Sequence, residues 1–143
     1  MTHALDQSIL ELLNASHDDE DILRLQVRDR AFGFHAQQAV EKLLKALIGG
    51  HEVRYEYTHD LRALIERLTL LDEDLPGDTI LLESLTDYAG IWRYQEPQPV
   101  SLAHREEVKS AIEGLRTFTL KRLSVLRSSV DWTAAASSQE TLD

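Results

Sequence analysis

Between Phe32 and Leu47 a stripe of apolar residues runs through positions 32, 36, 39, 40, 43 and 47. That is the spacing of one face of an α-helix, and it excludes the strict alternation of a half-buried strand. Gly49-Gly50 follows the last of these residues, where glycine is expected just past a helix end. Gly33 is a local conflict, since glycine inside a helix costs up to about 1 kcal/mol relative to alanine. The same periodicity continues through most of the chain. Only three prolines and six glycines interrupt it, and Leu, Ala, Glu and Arg outweigh the β-branched residues. A mix of this kind favours helix and argues against sandwiches and barrels.

The pattern predicts an all-α bundle of four or five helices in up-and-down order. A first helix is expected from Leu5 to Ala15, with Ile9, Leu12 and Leu13 on its inner face. The acidic run Asp18, Asp19, Glu20, Asp21 suits the positive N-terminal end of a long second helix from about Asp19 to Ile48. Thr58 is a candidate N-cap for a third helix with Leu61, Leu64, Ile65 and Leu68 inward. After Pro76-Gly77, Asp78 or Thr79 can cap a fourth helix carrying Leu81, Leu85, Tyr88, Ala89 and Trp92, which Pro97 and Pro99 terminate. Ser101 caps a fifth, whose inner face is Val108, Ala111, Ile112, Leu115, Phe118 and Leu126. These elements make one domain over residues 1–130, with 131–143 expected as a loose tail of Ala, Ser and Thr.

Twenty-five acidic residues against fifteen basic ones give a net charge of −10. Such a surface repels duplex DNA and anionic lipid at long range, although a local basic cleft could still hold a nucleotide or a short RNA. With no cysteine, disulfides, thiolate zinc sites and cysteine nucleophiles are excluded. The N-terminal residues lack the basic start and apolar core of a signal peptide, and no apolar run approaches about 18 residues. The expected setting is the cytoplasm. His51 and His59, eight apart, are poorly spaced for a metal, no phosphate-cradling glycine loop or serine elbow is present, and no metal or cofactor is expected.

Three segments carry candidate chemistry. On a helical projection His35, Gln38, Lys42 and Lys45 share one ridge beside the apolar stripe, with His35 and Lys42 about 10 Å apart along the axis. An imidazole, an amide and two ammonium groups so placed could bind a phosphate; the plain alternative is a solvated face with snorkelling lysines. Gln37 and Glu41 are expected on the polar side. His59, in Thr58-His59-Asp60-Leu61, could add a donor, or the segment could simply start a helix. Arg93 and Tyr94, one turn beyond Tyr88 and beside Trp92, could stack a base and pair a phosphate, or could pin a helix end.

The blocks FHAQQAVEKLLKALI (34–48), THDL (58–61) and YAGIWRY (88–94), in that order and spacing, resemble the HEPN domain family, the higher eukaryotes and prokaryotes nucleotide-binding domains. The likeness extends over about residues 5–125. It implies a helical bundle, commonly dimeric, whose bacterial members are often encoded beside a minimal nucleotidyltransferase and include ribonuclease toxins restrained by that partner. Within the family it resembles, the toxin branch is recognised by an arginine followed four to six residues later by a histidine, typically near the start of a late helix. After Arg93 the next histidine is His104, too distant, and the pair at the right spacing, Arg30 and His35, falls in the second helix and diverges by about 140° around it.

The resemblance therefore implies a non-catalytic module that binds a nucleotide, serves as the partner subunit of a nucleotidyltransferase in a toxin–antitoxin type pair, or does both. The nucleotide or partner site would draw on His35, Gln38, Lys42, Lys45, His59, Arg93 and Tyr94. The alternative is a metal-independent ribonuclease using Arg30 and His35. Apolar residues on several helices exceed what one small bundle can cover, so a homodimer is expected.

Overall fold

The structure is a computed structural model that describes residues 4–55, 57–88 and 102–137. Among these residues it is all α: α1 (Ala4–Ile22), α2 (Asp29–Gly50), α3 (Leu61–Leu70), α4 (Thr79–Ser84) followed by a 3₁₀ turn (Leu85–Tyr88), α5 (Leu102–Leu126) and α6 (Trp132–Ser137). The expected helical bundle is present, and α2 is its axis. From Ala36 to Gly50 every residue of α2 except Gln38 and Lys42 is buried. The apolar stripe is thus widened to nearly the whole circumference, because α1, α3 and α5 all pack against this one helix.

Contacts between named residues fix the directions. Asp19 meets His35 and Lys42, whereas Ile9 lies 3.3 Å from where a Cβ on Gly49 would stand, so α1 runs antiparallel to α2. The start of α2 meets the start of α5 at Asp29 and Arg105, and their ends meet at Gly50 and Leu123. His59 stands beside Gln37 and Glu41, so the start of α3 lies back alongside the middle of α2.

Several expectations change. The acidic run Asp18–Asp21 lies in the C-terminal part of α1 and not at the start of α2, which begins ten residues later than expected, at Asp29. The helix dipole disfavours carboxylates there. Tertiary partners decide the matter, with His35 and Lys42 on Asp19 and Arg116 on Glu20. Gly49 and Gly50 lie within the last turn of α2, not past it, and a Cβ on Gly50 would come within 2.6 Å of Leu123. The left-handed residue after the helix is Glu52, at φ 59°. These glycines serve close packing. Gly33 does the same, because the Tyr88 ring fills the place of its Cβ with atoms 2.1–2.4 Å away.

Asp60, not Thr58, caps α3 by accepting from the Arg62 amide, while Thr58 Oγ1 accepts from the Asp60 amide. Asp78 caps α4 as expected. The segment expected as a tail from residue 131 instead begins with a helix whose Trp132 is fully buried, its indole N–H donating to the Arg127 carbonyl at 2.8 Å. That buried indole gives the turn a large apolar anchor against the bundle. Among the described residues no helix is long and apolar enough to cross a membrane.

Candidate functional site

The ridge expected on α2 is held by acids. His35 Nδ1 lies 2.8 Å from Asp19 Oδ1, and Lys42 Nζ lies 2.5 Å from the other oxygen of the same carboxylate. Lys45 Nζ donates to Glu41 Oε2 at 2.9 Å and stands 5.3 Å from the Tyr55 ring centre. Glu41 Oε1 accepts from Gln37 at 2.9 Å and faces His59 Nδ1 at 2.8 Å, while Gln37 also donates to the His59 carbonyl. A carboxylate only accepts, so each imidazole nitrogen facing one carries a proton. Gln38 donates to Gln37 Oε1 at 2.7 Å.

Two compact clusters result, one centred on Asp19 and one on Glu41. Gln37 and Glu41 are buried rather than on the polar side, and Lys45, at 8% exposure, is no snorkelling surface lysine. The physical reason is the widened burial of α2: a charge carried inside must be paired there. The segment around His59 and the long-helix block thus meet directly through Glu41. Arg93, Tyr94 and Trp92 lie outside the described residues.

Arg30 and His35 stand on different ridges of α2 and border the same groove. Together with Val27, Arg28, Ala31 and Phe34 they line one open groove of about 580 Å³ at the start of α2. The groove spans two neighbouring ridges, Arg30/Phe34 and Ala31/His35, so residues 140° apart on the helix both reach it. Its base is fixed by Arg105, which donates to the Val27 carbonyl at 2.9 Å and to Asp29 at 2.7 Å and lies over the Phe32 ring. The Phe34 ring meets His35 edge to face, with centroids 5.2 Å apart.

Sequence reasoning missed Asp19 and Glu41 as organising groups. Gln37, Glu41 and Lys45 do form a legible i, i+4, i+8 ladder. Asp19 carries no such signal, because its partners are 16 and 23 residues away. Arg28 and Phe34 were likewise invisible as groove residues, since the groove exists only where the 23–28 linker turns into α2.

Burial pushes the Glu41 carboxyl up, but Gln37, Lys45 and His59 together outweigh it and hold the carboxyl below its ordinary 4.5. Glu73 is lowered in the same way, by Arg122 and His51 against burial. Burial wins at Glu20, raising it despite Arg116 and Ser16. The stabilisation from Glu41 and Glu73 is present above pH 4.5 and is lost as pH falls through their lowered folded values. Glu20 works with the opposite sign, its contribution fading as pH rises above 4.5. The melting temperature is therefore expected to fall below pH 4.5, and Glu73→Gln should flatten that fall in thermal melts followed by circular dichroism.

An all-α bundle packed around a buried, internally ion-paired helix, with a groove at that helix's start, is the architecture of a small helical-bundle domain. The family model of the HEPN domain matches residues 27–123, more than half of the chain, and the protein belongs to that family. The match begins at the groove and ends in α5, so α1 with Asp19 lies outside it. No curated protein and no solved structure matches the chain.

Proposed function

We propose that this chain is a non-catalytic HEPN module, a homodimer that holds a nucleotide and serves as the partner subunit of a minimal nucleotidyltransferase in a toxin–antitoxin type pair. The observation that carries the reading is the commitment of His35, Lys42, Lys45 and His59 to carboxylates of the same chain. Ammonium groups neutralised in this way contribute little to a phosphate arriving from solvent. What supports a ligand site is the groove beside them. Arg28 offers a planar fork for a phosphate, Arg30 borders the same groove, and Phe34, Val27 and Ala31 offer an apolar face for a base. The partner and the dimer rest on the family resemblance and on the apolar content of the sequence.

The test is titration of the purified protein with ATP by calorimetry. Binding is expected, with loss in Arg28→Ala/Arg30→Ala and retention in Lys42→Ala, whose ammonium is already held by Asp19. Equal loss in Lys42→Ala would return the site to the ridge. Sedimentation should give twice the chain mass, and co-expression with a nucleotidyltransferase from the adjacent reading frame should give a complex.

A second reading, a metal-independent ribonuclease, draws on one observation: Arg30 and His35 line the same groove, and Asp19 holds His35 by Nδ1. An imidazole oriented in that way keeps its other nitrogen for proton transfer beside a cation. Incubation with single-stranded and structured RNA separates the two readings. Cleavage that both Arg30→Ala and His35→Ala abolish would establish the ribonuclease; the binding module leaves RNA intact.

A further inference from the structure

We propose that the cleft between the loop after α2 and the start of α1 binds a small planar aromatic ligand carrying one carboxylate, at a site separate from the groove and independent of its reading. The cleft measures about 630 Å³, inside the range of about 300–1,000 Å³ in which small-molecule sites fall. Ala31 in the groove and Gly49 in this cleft stand about 27 Å apart along α2, so one small ligand does not reach both.

The walls set the shape of the ligand. Val53, Tyr55 and Tyr57 line the cleft together with Leu5 of α1. Their spacing of two residues is that of an extended chain, which turns alternate side chains to one side. Leu5, Val53 and Tyr55 also pack on the core, whereas Tyr57 is fully exposed. An aromatic side chain left in water beside an apolar wall gains by taking a second ring against it.

The charges set the anionic group. Arg62, Arg105, Arg116, Arg122 and Arg127 are each ion-paired within the chain. Arg54 lines the cleft, and among the described residues its guanidinium meets no carboxylate, although the chain carries 25 acidic residues against 15 basic ones. The planar fork of a guanidinium matches a carboxylate with two parallel hydrogen bonds. Glu52 lines the same cleft with its side chain 74% exposed, and it repels a second negative group. A monocarboxylate is therefore favoured over a polyphosphate.

The loop is fixed before any ligand arrives. His51 Nε2 lies 2.7 Å from Glu73 Oε2, and left-handed Glu52, at φ 59°, stands 3.7 Å from Arg127. The Arg54 carbonyl accepts from Arg67 at 3.3 Å, and the Tyr55 ring centre lies 5.3 Å from Lys45 Nζ. A loop held in this way spares a ligand the cost of ordering it.

The experiment is titration of the full chain with indole-3-acetate, followed in proton–nitrogen correlation spectra. Saturable shifts are expected at the amides of Gly49, Val53 and Tyr55, with a dissociation constant of about 1 mM, the strength of an ordinary ligand of that size. Indole-3-acetamide, the same ring without the charge, should bind about fivefold more weakly, the factor a well-formed exposed ion pair supplies. Arg54→Met should bring the acid down to the level of the amide, and Tyr57→Ala should weaken both by about twofold to tenfold. Arg62→Met, at an exposed arginine of α3, should leave binding unchanged, and ATP should leave these amides unmoved. Thermal melts equal to the parent's check the fold of each variant. Absence of saturable shifts, equal binding of acid and amide, binding of the acid that survives Arg54→Met, or ATP moving the same amides would overturn the site. A loss of dimer mass on sedimentation of Tyr57→Ala would overturn it too, by assigning the cleft to a second copy of the chain.

Discussion

Replacing Glu41 by leucine is expected to destabilise the protein by about 3–5 kcal/mol, the cost of leaving one member of a buried ion pair without the other. The carboxylate accepts from Gln37 and Lys45 and faces His59, and its own side chain is 7% exposed. Its removal strands the ammonium of Lys45, whose side chain is 10% exposed, in the bundle. For a chain of this size the melting temperature should drop by roughly 10 °C or more. Glu41→Leu/Lys45→Met should recover most of the loss, because an apolar pair of similar volume does as well as a buried ion pair. A single variant that melts with the parent would show that water reaches Lys45 and that the cluster belongs to the surface.

Leu43→Ala should cost about 2–5 kcal/mol, the transfer and cavity cost of removing a buried isobutyl group. Leu43 is fully buried on the most enclosed helix, with Val40, Leu44 and Leu47 equally buried around it, so collapse into the void is restricted. His35→Ala and Lys42→Ala should each cost less, since Asp19 keeps the other partner. Urea unfolding read by circular dichroism orders the three variants. If either ridge variant matched Leu43→Ala, the Asp19 cluster would be a principal support of the fold rather than a local tie between α1 and α2.

Much of the bundle could be read from local rules. The apolar positions of α2, α3 and α5, the Asp78 cap and the absence of strand alternation all depend on neighbours within a few residues. A helix registers its own periodicity, so the all-α class and the stripe Phe32, Ala36, Ala39, Val40, Leu43 and Leu47 followed from the sequence, whereas the burial of Leu44 and Ala46 did not. The family likeness rested on the same local blocks. Local reasoning failed where two segments meet. It assigned Asp18–Asp21 to a helix start because the dipole rewards acids there by some tenths of a kcal/mol; pairing with His35, Lys42 and Arg116 outweighs that. It took Gly49-Gly50 as a stop signal, whereas Ile9 and Leu123 need the space a Cβ would fill.

For the candidate site the division is sharper. The residue types His35, Lys42, Lys45 and His59 were legible as a group, but their charge state as a group was not. Spacing on one helix shows which side chains share a face; it carries no information on which carboxylates from another helix, or from that helix's own buried side, will face them. Asp19 reaches the ridge only because α1 folds back antiparallel on α2. The groove joining Arg28, Arg30, Phe34 and His35 exists only because Arg105 holds the 23–28 linker against α2 from 76 and 78 residues away. The sequence by itself determined helices, their inner faces and the family. The tertiary structure alone decided which cations are neutralised and which border the groove, because charge pairing depends on distance in space, whatever the separation along the chain.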